Sequence, residues 1–135
     1  MRAFTITERV RLADTDATGA LSFGAYGRIV EIAETEFLRS IGFDPEVLAA
    51  RGIGFSRVHV EFDYFKPAVV DDLLTLRISV AGVGIHSLRF AVAIFRAQTL
   101  IAESTLVSAC VDRGRKSIAL PDDIALALRL HQFDV

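Results

Sequence analysis

One switch of hydrophobic period, from two to about 3.6 and back, limits what this chain can fold into. Residues 4–12 (FTITERVRL) alternate apolar and polar positions with β-branched residues among them, which predicts a strand. From Phe23 the spacing changes. Phe23, Tyr26, Val30, Ala33, Phe37 and Ile41 recur every three or four residues, with Arg28, Glu31, Glu34, Thr35 and Arg39 between them. This predicts one helix of about five turns, ~27 Å long at ~1.5 Å per residue, with Gly42 as its left-handed cap. After Gly54 the period of two returns for 56–65, where Val58, Val60, Phe62 and Tyr64 share one face and His59 takes the other. Three more strands are predicted over 73–80, 86–95 and 100–112, and connections this short make neighbours antiparallel. Two short helices complete the pattern. One follows Asp44 as cap, with Pro45 at its first position; the other spans 122–131, with Asp122 as its start signal.

A strand, a long helix and four further strands leave few solutions. Five antiparallel strands have a face to bury, and the stripe on 23–41 is the only element broad enough to cover it. The expected fold is therefore α+β, a five-stranded antiparallel sheet wrapped around one long central helix. Its two open edges favour pairing with a second copy. With 135 residues, 52% of them hydrophobic, and no internal repeat or linker, residues 1–135 read as a single domain. The 15 Lys+Arg against 17 Asp+Glu exclude the basic footprint of a nucleic-acid partner. A single Cys forbids an internal disulfide and suits a reducing compartment. The opening MRAFTITERVRLADTD carries charges where an export signal is apolar. No uncharged run reaches the about 18–20 residues of a membrane span, so a cytoplasmic protein without a membrane partner is expected.

Several chemistries drop out on spacing. His59, His86 and His131 are scattered and Cys110 stands alone, so no metal site is expected. The segment 19–24 (GALSFG) is similar to a nucleophile elbow, but its first glycine stands three residues before Ser22, where that turn needs two. Ser22 reads as a helix-start residue. Gly52-Ile53-Gly54 and Gly82-Val83-Gly84 open no helix and read as strand-end turns. Asp14-Thr15-Asp16, just before the long helix, remains. The N-terminus of a helix offers unpaired N–H groups with partial positive charge, able to polarise a carbonyl and hold an oxyanion. A carboxylate a few residues upstream could attack that carbonyl or activate a water. Both aspartates also read as solvated loop acids, one of them a simple cap, and residue type leaves both readings open. Glu31 and Glu34 are rival carboxylates, but with Arg28 and Arg39 they read as ion pairs on the solvent or subunit side of the helix. Cys110 reads as a small buried residue.

The run Val10-Arg11-Leu12-Ala13-Asp14-Thr15-Asp16-Ala17-Thr18-Gly19-Ala20-Leu21, with Tyr26 and then 31–39 (EIAETEFLR), resembles the 4-hydroxybenzoyl-CoA thioesterase-like branch of the hotdog fold. The likeness continues through 60–68 (VEFDYFKPA) with Asp71-Asp72, and weakly from Ser87 to Leu106. It implies a homodimer or homotetramer that hydrolyses an acyl-CoA or acyl-carrier-protein thioester, with the active site at a subunit interface. It implies Asp16 as the catalytic carboxylate and the N–H of Phe23 as the carbonyl-polarising donor, with Gly24 and Tyr26 beside it against the substrate. The phosphates of coenzyme A call for cations, and Arg57, His59, Arg113 and Arg115 are the candidates. Coenzyme A arrives within the substrate, so no separate cofactor is expected. The chain departs from the family pattern in having Phe23 where many relatives carry Tyr or His, and Ala25 where they carry Asn or Ser. Position 23 is thereby restricted to backbone donation, and Asp16 is deprived of a polar partner at 25. The alternative on the same fold is a non-catalytic module that binds acyl-CoA or another hydrophobic ligand.

Overall fold

A computed structural model describes residues 4–132. Strand β1 (Phe4–Arg9) leads through a 3-10 turn at Leu12–Asp14 to helix α1 (Phe23–Ser40) and a short α2 (Pro45–Ala50). Four strands follow, β2 (Gly54–Tyr64), β3 (Leu73–Val83), β4 (Ser87–Arg96) and β5 (Thr99–Val111), and α3 (Asp122–Leu130) comes last. The sheet order is β1-β3-β4-β5-β2, and every pair is antiparallel. This is the expected hotdog arrangement, with β1 and β2 at the edges.

Alternation along the central strands builds the core. Leu74, Leu76, Ile78 and Val80 of β3 and Leu88, Phe90, Val92 and Ile94 of β4 are all but sealed from solvent. Their neighbours point to the outer face, as a sheet covered on one side requires. Against the inner face α1 lays Ile29, Val30, Ala33 and Phe37, each side chain of Ile, Val or Phe size contributing about 1.5–3 kcal/mol by burial. Phe37 meets Phe90 edge-on at 5.5 Å and Phe4 at 6.0 Å. Helix α3 adds Ile124, Ala125 and Leu128 to the same core.

The structure differs from the sequence expectations at five points. First, β1 stops at Arg9, because Asp14 accepts the Arg11 N–H at 3.3 Å and folds the chain into the 3-10 turn. Second, β3 runs on to Val83, so Gly82 and Val83 of the expected turn pair with Arg89 and Leu88 of β4. Third, Phe23 leaves the apolar stripe and is 83% exposed, while Ala25, Ile29 and Leu38 join the buried face. Fourth, β2 is not evenly alternating. Its pairing with β5 slips between Arg57 and His59, a bulge at Val58. Phe55 and Arg57 before the bulge therefore pair with buried Cys110 and Ser108, and Val60, Phe62 and Tyr64 after it pair with Leu106, Ser104 and Ala102. The bulge puts Arg57 on the helix side, where simple alternation would have placed it opposite to Val60.

Fifth, Glu34 is buried and does not pair along its own helix. Arg57 donates to its two carboxylate oxygens at 2.8 and 2.9 Å and to the Ser108 hydroxyl at 2.9 Å. Arg28 turns instead to Asp14 at 2.9 Å, and Arg39 to Glu36 and Asp44.

Candidate active site

The start of α1 is capped by Ser22. Its hydroxyl accepts the Ala25 N–H at 3.3 Å and its carbonyl accepts the Tyr26 N–H at 3.1 Å. Of the four N–H groups a helix leaves unpaired at its start, those of Phe23 and Gly24 have no acceptor among the described residues. Neither aspartate caps this helix. Asp14 is held by Arg11 and Arg28, which tie the 3-10 turn to α1. Asp16 remains as the unspent acid.

Asp16 sits on a tight loop. Its N–H reaches the Ala20 carbonyl at 2.9 Å, and its own carbonyl accepts the Gly19 N–H at 3.0 Å. Gly19 adopts φ +84°, a left-handed conformation that other residues enter only with strain. The loop is fastened by the Leu21 N–H to the Ala68 carbonyl at 2.8 Å and by a bridge between Ala20 and Val69. Thr18 then orients the carboxylate, donating both its hydroxyl and its N–H to Oδ1. Those two bonds, the hydroxyl foremost, hold the Asp16 carboxyl below the ordinary value. The second oxygen, Oδ2, accepts nothing among the described residues.

Asp16 faces a cleft of about 390 Å³. Ala20 and Leu21 continue its wall from the loop, and Phe23 and Tyr26 enter from α1. Tyr64, Phe65, Lys66 and Pro67 close it from the end of β2. The Tyr26 ring lies 4.9 Å from that of Tyr64 and 6.0 Å from that of Phe62, so one side of the cleft is aromatic. Reading the sequence for chemistry missed 64–67 as a site. Its signal was there, in the break at Lys66-Pro67 and the similarity over 60–68, but nothing local shows that Ala68 and Val69 clamp the loop that carries Asp16.

The four proposed cations lie elsewhere in the single chain. Arg57 is engaged by Glu34 and lines a separate cavity of about 380 Å³ between α1, α2 and β2. His59 is at the surface, 3.5 Å from Glu61. Arg113 donates to the carbonyls of Ala49 and Ala50 at the end of α2. Arg115 takes φ +64° in an exposed turn. The basic residue that does line the cleft is Lys66. Cys110 is buried, and burial pushes its thiol up, away from the reactive thiolate.

The family model described as Thioesterase-like superfamily matches residues 10–128. An acyl-CoA thioesterase of Haemophilus influenzae, YbgC, is 31% identical over 126 residues, covering 92% of this chain and 93% of its own. The acyl-CoA thioester hydrolase YbgC of Escherichia coli O6:H1 is 34% identical over 118 residues, 86% of this chain and 88% of its own. Among solved structures, a 1,4-dihydroxy-2-naphthoyl-CoA thioesterase from Synechocystis superposes with a TM-score of 0.85 at 25% identity, over 94% of this chain and 96% of that one.

Proposed function

This chain belongs to the thioesterase-like superfamily and is a thioester hydrolase; we propose that it cleaves acyl-CoA thioesters, aryl-CoA included, in the cleft at the start of α1. One observation carries the reading. The N–H groups of Phe23 and Gly24 have no acceptor among the described residues, and Phe23 lines the same cleft as Asp16, whose Oδ2 is unengaged. The donors bind the thioester carbonyl oxygen and hold the negative charge that develops on it, aided by the helix dipole. Oδ2 of Asp16 supplies the electron pair, by drawing a proton from an attacking water or by bonding the carbonyl carbon itself. The tetrahedral intermediate collapses with rupture of the C–S bond. Coenzyme A leaves as a thiolate, a far weaker base than the amide nitrogen or alkoxide of other acyl leaving groups, so no strong general acid is needed. Direct attack by Asp16 leaves a mixed anhydride that one water then cleaves to the free acid and the restored carboxylate.

The reading includes a second copy of the chain as the missing wall. Phe23, at the lip of the cleft, is 83% exposed, and β2 beside it is a sheet edge. Burying such a residue against a partner is favourable by the ordinary hydrophobic term.

Thiol release from a panel of acyl-CoAs tests the assignment. Asp16→Asn keeps the Thr18 bonds possible and is expected to lower kcat/KM by about 10² to 10⁴. A variant that turns over at the wild-type rate would remove Asp16 from the mechanism. Retention of intact acyl-CoA by the wild type, with no thiol released, would support the binding-module alternative instead. Single turnover in ¹⁸O water assigns the step, because label in the Asp16 carboxylate marks direct attack.

A further inference from the structure

Segment 67–72, between β2 and β3, holds the chain that carries Asp16 at both of its ends. Upstream, the Val10 N–H reaches the Asp72 carbonyl and the Asp71 N–H reaches the Val10 carbonyl, each at 2.8 Å. Arg9 adds a bond to the Asp71 carbonyl at 2.7 Å. Asp71 takes φ +72° in this reversal, a left-handed conformation that aspartate enters more readily than most residues. Downstream, the Ala68 carbonyl accepts the Leu21 N–H, and Val69 bridges to Ala20, whose own carbonyl accepts the Asp16 N–H. Val10 and Ala68, one at each end, are sealed from solvent. The segment is itself stapled by one side-chain pair. Oδ2 of Asp72 accepts the Val69 N–H and Arg96 Nη1, both at 2.9 Å, and the same arginine nitrogen donates to the Pro67 carbonyl at 2.8 Å. The Val69 N–H foremost, then Arg96, hold the Asp72 carboxyl below the ordinary value against the opposing effect of burial. Arg96 ends β4, the middle strand of the sheet, so the staple is anchored to the most rigid part of the fold.

We propose that Asp72 and Arg96 are positioning residues for catalysis: by bracing 67–69 they fix the Asp16 carboxylate relative to the N–H groups that open α1. The inference rests on the reading of Asp16 as the catalytic carboxylate. Asp16 lies before, and Phe23 after, the two residues that the brace grips, Ala20 and Leu21. A shift of the brace therefore moves the carboxylate and the start of the helix against each other. Neither Asp72 nor Arg96 lines the cleft, so their effect on the reaction passes through the backbone they hold. Misplacement of a catalytic group by about 1 Å costs as much as 10²-fold in rate. Because the pair makes no contact with substrate, that loss falls on kcat and not on KM.

Asp72→Ala removes the acceptor of the staple and Arg96→Met its donor, so one serves where the other fails to fold. Arg51→Met is the control. It breaks another arginine–aspartate pair, to Asp123 at 2.8 and 2.9 Å, which ties the end of α2 to α3 and lines no part of the cleft. With the best substrate of the acyl-CoA panel, both staple variants are expected to lose about 10- to 100-fold in kcat at a KM close to wild type, and the control to keep its kcat. Asp72→Asn, whose amide oxygen can still accept both bonds, should recover most of the loss. Hydrogen exchange reads the coupling without turnover. The amides of Val10 and Leu21 should exchange at least about tenfold faster in the staple variants, while those of Phe90 and Val92 in β4 stay as in wild type. Wild-type kcat in both staple variants, or exchange at Leu21 no faster than in the control, would overturn the inference. So would a rise in KM alone, which would make the pair part of substrate binding. An inactive Asp16→Asn beside fully active staple variants sinks this inference alone; a fully active Asp16→Asn sinks the catalytic reading of Asp16 and this inference with it.

Discussion

At residue scale the acidity of Asp16 is set by a neighbour two positions away. The side chain has no burial to speak of, so the low carboxyl value comes from the Thr18 hydroxyl and N–H on Oδ1. A lowered carboxyl pKa means that the charged form persists above the folded-state value and is lost as pH falls through it. Any activity that needs the carboxylate should therefore hold to below the ordinary 3.8 in the free enzyme. Thr18→Val removes the hydroxyl bond and leaves the N–H bond in place. The acid limb of kcat/KM should then shift upward, toward the ordinary aspartate value. A pH–rate profile at fixed ionic strength checks this; limbs that coincide would show that Thr18 does not tune Asp16. The same shape of side chain with no hydroxyl also loses one of the two anchors of the carboxylate, so kcat should fall at every pH.

At the scale of elements, the joint between α1 and β2 is ionic, whereas the core elsewhere is apolar but for Ser104. Glu34 is 9% exposed, and Arg57 reaches it only because the bulge at Val58 turns residues 55 and 57 toward the helix. Burial opposes the charge on Arg57, but its hydrogen bonds to Glu34 and the attraction of Glu34 and Glu31 outweigh that cost and raise its pKa. Arg57→Met strands the Glu34 carboxylate among apolar neighbours. Removing one partner of a buried pair costs about 3–5 kcal/mol, and the lower end applies here because the Arg57 side chain keeps 27% of its exposure. Denaturant unfolding should show that loss, and the double variant Glu34→Leu/Arg57→Met should recover most of it. Equal instability of the single and double variants would mean that packing, not charge, holds the joint. With Arg57 committed in this way, Lys66 is the basic side chain left at the cleft to meet an anionic part of the substrate.

At the scale of the molecule, the sheet leaves β1 and β2 open, and Phe23, Val58, Val60, Tyr64 and Phe65 expose apolar surface at or beside the β2 edge. Such an edge invites pairing. The mass in solution by light scattering should be at least twice the 14.8 kDa of the chain, and Phe23→Asp should shift it toward the monomer and depress turnover together. A fully active monomer would show that one chain closes its own cleft. No helix among the described residues is long and apolar enough to cross a membrane. Much of this molecule was legible in one dimension. Period two against period 3.6 delivered the five strands, the long helix and the α2 cap at Asp44, because which side of a strand or helix is buried repeats with the local geometry. Asp14 and Asp16 could be singled out by their place before the helix, and the similarity to a known family chose Asp16 between them. The bulge at Val58 could not be read, since a one-residue slip leaves the alternation of apolar residues intact while reversing the side on which Arg57 emerges. Nor could the partnership of Glu34 with Arg57, or the meeting of Asp16 with Tyr26 and Tyr64. Those depend on contacts between residues far apart along the chain, and only the folded sheet and helix bring them within reach.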